Sequence, residues 1–329
     1  MRGAHRDFRL TLALVWAALS IGGALYARAL DLPARIAAPV VAAFLWEASF
    51  YLIPGFPSVL KGLEERWRPT GLALWLPASA VVPYCVYTLP TGTFRWTSLA
   101  LLAALAAVVS FWYVFFRKNR VADAAFLAFM AAAVLTGALS ALYPAVAPKV
   151  RLEILGHLMW TRLGVTVMLT LRRAEGIGFG FIPTKKEWGI GLRQYLYFLP
   201  LGLPLALAIG YVRFRPVPVD WWQAMLLAAG TFLGMLWVVA LAEEFCFRGL
   251  LQQWLSQWLG SRTAGLICAS VVFGLAHLPF RAFPNWRFAL VAAVAGFFYG
   301  RAYSQSGGIR AAMVTHALVN TTTRLLFTT

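Results

Sequence analysis

Apolar runs of about twenty residues recur along the whole chain, and no other feature constrains its fold as much. Hydrocarbon about 30 Å thick is crossed by about 20 residues of helix, and inside it every backbone N–H and C=O must find a partner within the protein. The runs fall near 8–27, 36–54, 71–90, 97–116, 121–143, 150–171, 194–212, 221–243, 263–280, 286–304 and 309–327. They predict an all-α fold, a polytopic transmembrane helix bundle of about 10–11 segments. The first run resembles a signal peptide, with Ala27-Arg28-Ala29 as a small-residue cleavage site, but its length is that of a retained spanning helix. The sixth carries Glu153, His157 and Arg162, so it also reads as an interfacial or re-entrant helix, with His157 and Arg162 near an interface or a cavity mouth.

Composition decides against the usual reading of a basic protein. Of 329 residues, 61% are hydrophobic and 12% charged, whereas a soluble domain has about a quarter charged. The net charge of +17 would suggest nucleic acid in a soluble chain. Here Lys and Arg occupy short segments between the runs: Arg2, Arg6 and Arg9, then Lys61, Arg66 and Arg68, then Arg117, Lys118 and Arg120, then Arg172, Arg173, Lys185, Lys186 and Arg193. If the sixth run crosses, all of these face one side. That pattern predicts a cytoplasmic N-terminus in a bacterial cytoplasmic (inner) membrane, with membrane lipid and not nucleic acid as the surroundings. Cys85, Cys246 and Cys268 form no CxxC pair and read as small core residues. The loop 172–193 is the clearest internal boundary. Its mixture of Gly, charge and aromatics predicts an amphipathic segment at the membrane surface.

Ionisable groups at membrane depth cost about 2.5–3.5 kcal/mol each, so they persist when paired or when they line a site. The last third of the chain holds an ordered set of them: LAEEFCFRGLL at 241–251, FGLAH at 273–277 and HALVN at 316–320. Glu244 and Arg248 are i,i+4 and can pair along a helix, whereas Glu243 points about 100° away and must find another neighbour. His316 and Asn320 share a helical stripe, and Phe273 lies one turn before His277. Taken singly, these are a helix-end clasp, packing histidines and an amide between helices. Together they offer one unpaired carboxylate, two imidazoles and an amide, an inventory suited to activating water and steadying an oxyanion. Glu47 within the second run reads as a protonated or hydrogen-bonded contact between helices.

These three motifs, E-E-x-x-x-R, F-x-x-x-H and H-x-x-x-N in this order, resemble the CAAX-protease and bacteriocin-processing family, also called Abi or type II CAAX prenyl endopeptidase-like. The resemblance covers about residues 175–327. It implies a glutamic-type intramembrane endopeptidase core within 121–329, with motifs in 241–320, and leaves 1–120 as accessory transmembrane helices. Carried over by motif, Glu243 would activate water with help from His277. His316 and Asn320 would steady the oxyanion, and Glu244, Arg248 and Phe273 would support them. The implied partner is a membrane-protein or lipidated-protein substrate, with a CAAX-like, lipid-anchored or sorting-signal tail. No cofactor is expected. If zinc took part, Glu243, His277 and His316 would be its ligands, although no H-E-x-x-H is present. Two other readings use the same residues: a non-catalytic scaffold or bacteriocin-immunity-type protein, and a proton-coupled transporter.

Overall fold

A computed structural model describes residues 2–215, 219–281 and 283–328, with residues 2–6 as backbone alone, so the Arg2 and Arg6 side chains lie outside the described residues. The body of each of the eleven apolar runs is helical. One antiparallel pair of two-residue strands, β1 (Arg213–Phe214) and β2 (Phe327–Thr328), interrupts an otherwise all-α structure. Among the described residues, six helices are long and apolar enough to cross a bilayer: Asp7–Ala29, Ala34–Gly55, Pro57–Thr91, Trp96–Phe115, Glu153–Arg172 and Trp221–Trp258. The chain is an integral membrane protein. It divides into two compact units, Met1–Ala174 and Glu175–Thr329, and the division falls within the loop that the sequence marks as a boundary.

The first unit contains α1 (Arg2–Ala29), α2 (Ala34–Tyr51), α3 (Pro57–Thr91), α4 (Trp96–Phe115), α5 (Arg120–Leu135), α6 (Ala138–Leu142) and α7 (Glu153–Arg172). Gly23 lets α1 cross α2 closely, since a Cβ there would lie 2.6 Å from Val41. Trp16 Nε1 donates to Leu45 O and Ser49 Oγ, both at 3.1 Å. α3 is broken at Arg68 (φ 51°), where Pro69 disfavours a helical predecessor. That break separates the charged stretch 57–67 from the apolar run after it.

The sixth run is a full helix buried in this unit, and the expectation that Arg162 sits near an interface or a cavity mouth is corrected. Its side chain is 2% exposed, and Nε donates to Glu47 Oε1 at 2.6 Å. Nη1 and Nη2 donate to Ser79 Oγ and Ser79 O at 2.8 and 3.0 Å. A polar residue in a greasy helix here marks burial against a partner 115 residues away, not proximity to water.

The second unit contains α8 (Lys185–Ala208), α9 (Trp221–Trp258), α10 (Arg262–Leu275), α11 (Trp286–Ser306) and α12 (Ile309–Leu326). Thr184 and Glu187 close a capping box at the start of α8, and Glu187 also takes Arg310 from α12 at 2.9 Å. The loop that precedes α8 packs against the start of α12. Ile177 is buried, its carbonyl accepts from Ile309 N at 3.1 Å, and Gly178 lies directly against Gly307 and Gly308. Positive φ at Gly178 together with that backbone contact leaves no room for a side chain. Cys268 is exposed on α10 and not part of the core.

Candidate active site

α9 is not a uniform helix where its carboxylates lie. π-helical turns at Met235–Ala240 and Phe245–Gln252 flank the short α-helical stretch Leu241–Glu244. Wider i→i+5 turns re-aim the side chains that follow and recur at functional sites. Here they present Glu244 and Arg248 inward, both essentially unexposed, with Arg248 Nε 3.2 Å from Glu244 Oε2. That distance is an ion-pair contact without aligned hydrogen-bond geometry, since neither atom gains a hydrogen-bond partner from it.

Arg248 is held instead by its surroundings. Nη2 donates to Gly296 O on α11 at 3.1 Å. The guanidinium lies over Phe273 at 4.4 Å, over Tyr299 at 5.4 Å and over Phe247 at 5.8 Å. Desolvated cation–π contacts of this kind are worth about 2 kcal/mol. Gly296 admits this arrangement, because a Cβ there would sit 3.1 Å from Phe273 and 3.2 Å from Arg248 Nη2. One turn on, Gly300 O accepts from Gln252 Nε2 at 3.2 Å in the same manner.

His316 joins the two carboxylates. Its Nδ1 lies 2.7 Å from Glu244 Oε1, and its Nε2 lies 3.8 Å from Glu243 Oε2. An ionised, arginine-paired carboxylate can only accept, so Nδ1 carries the proton and Nε2 is the end turned toward Glu243. The 3.8 Å separation is too long for a hydrogen bond. Glu243 is 32% exposed, and its Oε2 is buried with no hydrogen-bond partner among the described residues. The next residue back, Thr315, ties this part of α12 to α8 by donating to Gly191 O at 3.0 Å.

His277 and Asn320 stand differently. α10 ends at Leu275, so His277 lies in the turn beyond it and not on the helix. Its Nδ1 takes the last-turn carbonyl of Phe273 at 2.7 Å. The His277 ring meets Phe273, Phe280 and Phe288, with centroids at 4.7, 5.6 and 4.5 Å. Phe273 is the link between the histidines, since it also meets His316 edge-on at 5.9 Å. Asn320 faces α9 from the same stripe as His316, and its Nδ2 approaches Met235 Sδ at 3.7 Å. Glu243, Glu244, Arg248 and His316 therefore form one contact network. His277 adjoins it through Phe273, and Asn320 lies one turn along. Among the described residues, no three His, Cys, Asp or Glu side chains gather as a metal-ligand set.

Sequence reasoning passed over Tyr299 and Gly296. The signal for them is GFFYG at 296–300, whose glycines lie i,i+4 and so form a flat stripe for another helix. An apolar cavity of about 40 Å³ lies nearby, lined by Phe198, Val291, Val319, Thr322 and Phe327 among others, with none of Glu243, Glu244, Arg248, His277, His316 and Asn320 in its wall.

No curated protein and no solved structure matches the chain. Residues 224–322, under a third of the chain, match the family model described as type II CAAX prenyl endopeptidase Rce1-like. The matched stretch holds all three motifs and the π-turned part of α9. Over residues 224–322 the membrane protein is thus similar to type II CAAX prenyl endopeptidases of the Rce1-like kind.

Proposed function

We propose that this protein is an intramembrane endopeptidase that cuts a peptide bond of a membrane-associated protein, with Glu243 as the base that activates water. The observation that carries the reading is the unequal commitment of two adjacent carboxylates. Glu244 is fully buried and engaged by Arg248 and His316. Glu243 is one-third exposed and has an unengaged oxygen facing His316. A carboxylate whose oxygens are taken up by an arginine and a histidine has no lone pair turned to a substrate, whereas a neighbour with an unengaged oxygen can accept a proton.

In the proposed reaction, Glu243 takes a proton from water as the water oxygen adds to the scissile carbonyl carbon. The oxyanion is met by Asn320 Nδ2 and by His316, which enters the cycle as imidazolium with an Nε2 proton taken from bulk water, donates through it and keeps it throughout. Collapse breaks the C–N bond, and Glu243 returns the proton to the leaving amine. His277, with Nδ1 given to Phe273 O, keeps Nε2 as an acceptor to assist the base. Glu244 and Arg248 hold His316 in place. The substrate class is a prenylated, lipid-anchored or hydrophobic C-terminal tail, or a sorting signal. Residues 1–120 serve as accessory transmembrane helices, and the core lies within 121–329. The loop charges favour a bacterial cytoplasmic membrane with a cytoplasmic N-terminus.

The test is product analysis. The full chain in liposomes is given membrane-anchored peptides with lipidated or sorting-signal tails, in ¹⁸O-enriched water. One ¹⁸O in the new carboxylate of a cut peptide is the expected result. Intact peptides of every tail class would contradict the proposal.

A further inference from the structure

The geometry points to Tyr299 as a positioning residue for His316, an inference that rests on the catalytic reading above. A hydrogen bond to Glu244 fixes one atom of the His316 ring but leaves the plane free to tilt about that contact, because the histidine χ2 well is broad. The plane is set by Tyr299. Its ring lies flat on the imidazole, with centroids 4.5 Å apart and planes 13° from parallel. Phe273 closes a second direction edge-on, at 88°. Tyr299 is 2% exposed on α11, where Gly296 and Gly300 flank it and hold that helix close to α9 and α10.

With one nitrogen bonded and the plane set, Nε2 can point only along the line toward Glu243 Oε2. The contact is made by the ring face, which phenylalanine reproduces and an aliphatic side chain does not. Tyr299 also sits under Arg248, so a control is needed for indirect effects. Phe247 supplies it, since it lies near Arg248 at 5.8 Å and has no ring contact with His316 among the described residues.

The experiment uses ¹⁵N-histidine NMR of the full chain in micelles, where four histidines make the spectrum assignable. Wild type and Tyr299→Phe are expected to show His316 with a persistently protonated Nδ1. Tyr299→Leu is expected to show averaged Nδ1 and Nε2 shifts for His316 while the His277 signals stay in place, and Phe247→Leu is expected to resemble wild type. On a cleaved peptide, Tyr299→Leu should lower kcat about tenfold with KM unchanged, the size expected for losing an aromatic stack. An unaltered His316 spectrum in a folded Tyr299→Leu protein overturns the proposal. So does an equal loss in Tyr299→Phe, which would assign the role to the hydroxyl. The spectral arm decides even if no peptide is cut, so its outcome is separate from that of the protease reading.

Discussion

Each unit buries a glutamate–arginine pair, and the two pairs are built differently. In the first unit, all three nitrogens of the Arg162 guanidinium donate, to Glu47 and twice to Ser79, and the group lies over Phe50 at 4.9 Å. Glu47 Oε2 alone is left without a hydrogen bond among the atoms of the pair. In the second unit, Arg248 makes one hydrogen bond, to a backbone carbonyl, and a looser contact with Glu244, whose other oxygen is given to a histidine. A second carboxylate stands beside it. Burial of an ion pair is thus no sign of chemistry by itself, since desolvation makes such pairs poor stabilisers wherever they occur. The difference lies in how many valences the pair leaves for other groups. Arg162 is a clasp, while Arg248 and Glu244 hold a histidine that faces a further, unengaged acid.

The comparison is most easily broken by removing one acid from each pair. Glu47→Ala strands Arg162 and should cost about 3–5 kcal/mol of stability, seen as a lower midpoint in denaturation, with kcat per folded molecule unchanged. Glu244→Ala should cost a similar amount and also lower kcat about a hundredfold or more, because His316 loses its partner. A fall in kcat for folded Glu47→Ala would erase the distinction. Replacing whole pairs sharpens it. Glu47→Leu with Arg162→Met should leave stability within about 1–2 kcal/mol and cleavage intact, while Glu244→Leu with Arg248→Met should keep the fold and lose cleavage. A smaller effect is expected at Gly296. The Cβ of Gly296→Ala would crowd Phe273 and Arg248 Nη2 at 3.1–3.2 Å, costing about 1–3 kcal/mol in melting and a severalfold fall in kcat. A neutral Gly296→Ala would mean that the close approach of α11 is incidental.

How much of this is legible in sequence depends on distance along the chain. Helices are local, so the body of every apolar run is helical, with the run 121–143 divided between α5 and α6. Glu244 with Arg248 is local too, and its i,i+4 contact is present. The partners of Arg162 and His316 lie 115 and 72 residues away, set by topology and not by spacing. Spacing alone therefore does not place Arg162. Residues 175–184 look amphipathic, and composition does not say that Ile177 is buried against the second unit while Ile182 stays exposed. His277 reads as a helical residue because the helical period runs on through FGLAH, but its own side chain takes a carbonyl at the end of the helix. The π turns leave no mark in the residue pattern, and they aim the carboxylates. The last third also holds helices that fall short of the length or apolarity of a spanning segment, such as the 14-residue α10.

Glu243→Gln tests the central claim most directly, because it keeps size and hydrogen bonding while removing the base. Wild type and variant, reconstituted in the same vesicles, are compared for release of a membrane-anchored peptide at matched folded protein. A fall of about a thousandfold or more in kcat, with the denaturation midpoint unchanged, is the expected result. Cleavage by purified Glu243→Gln at the wild-type rate would contradict it.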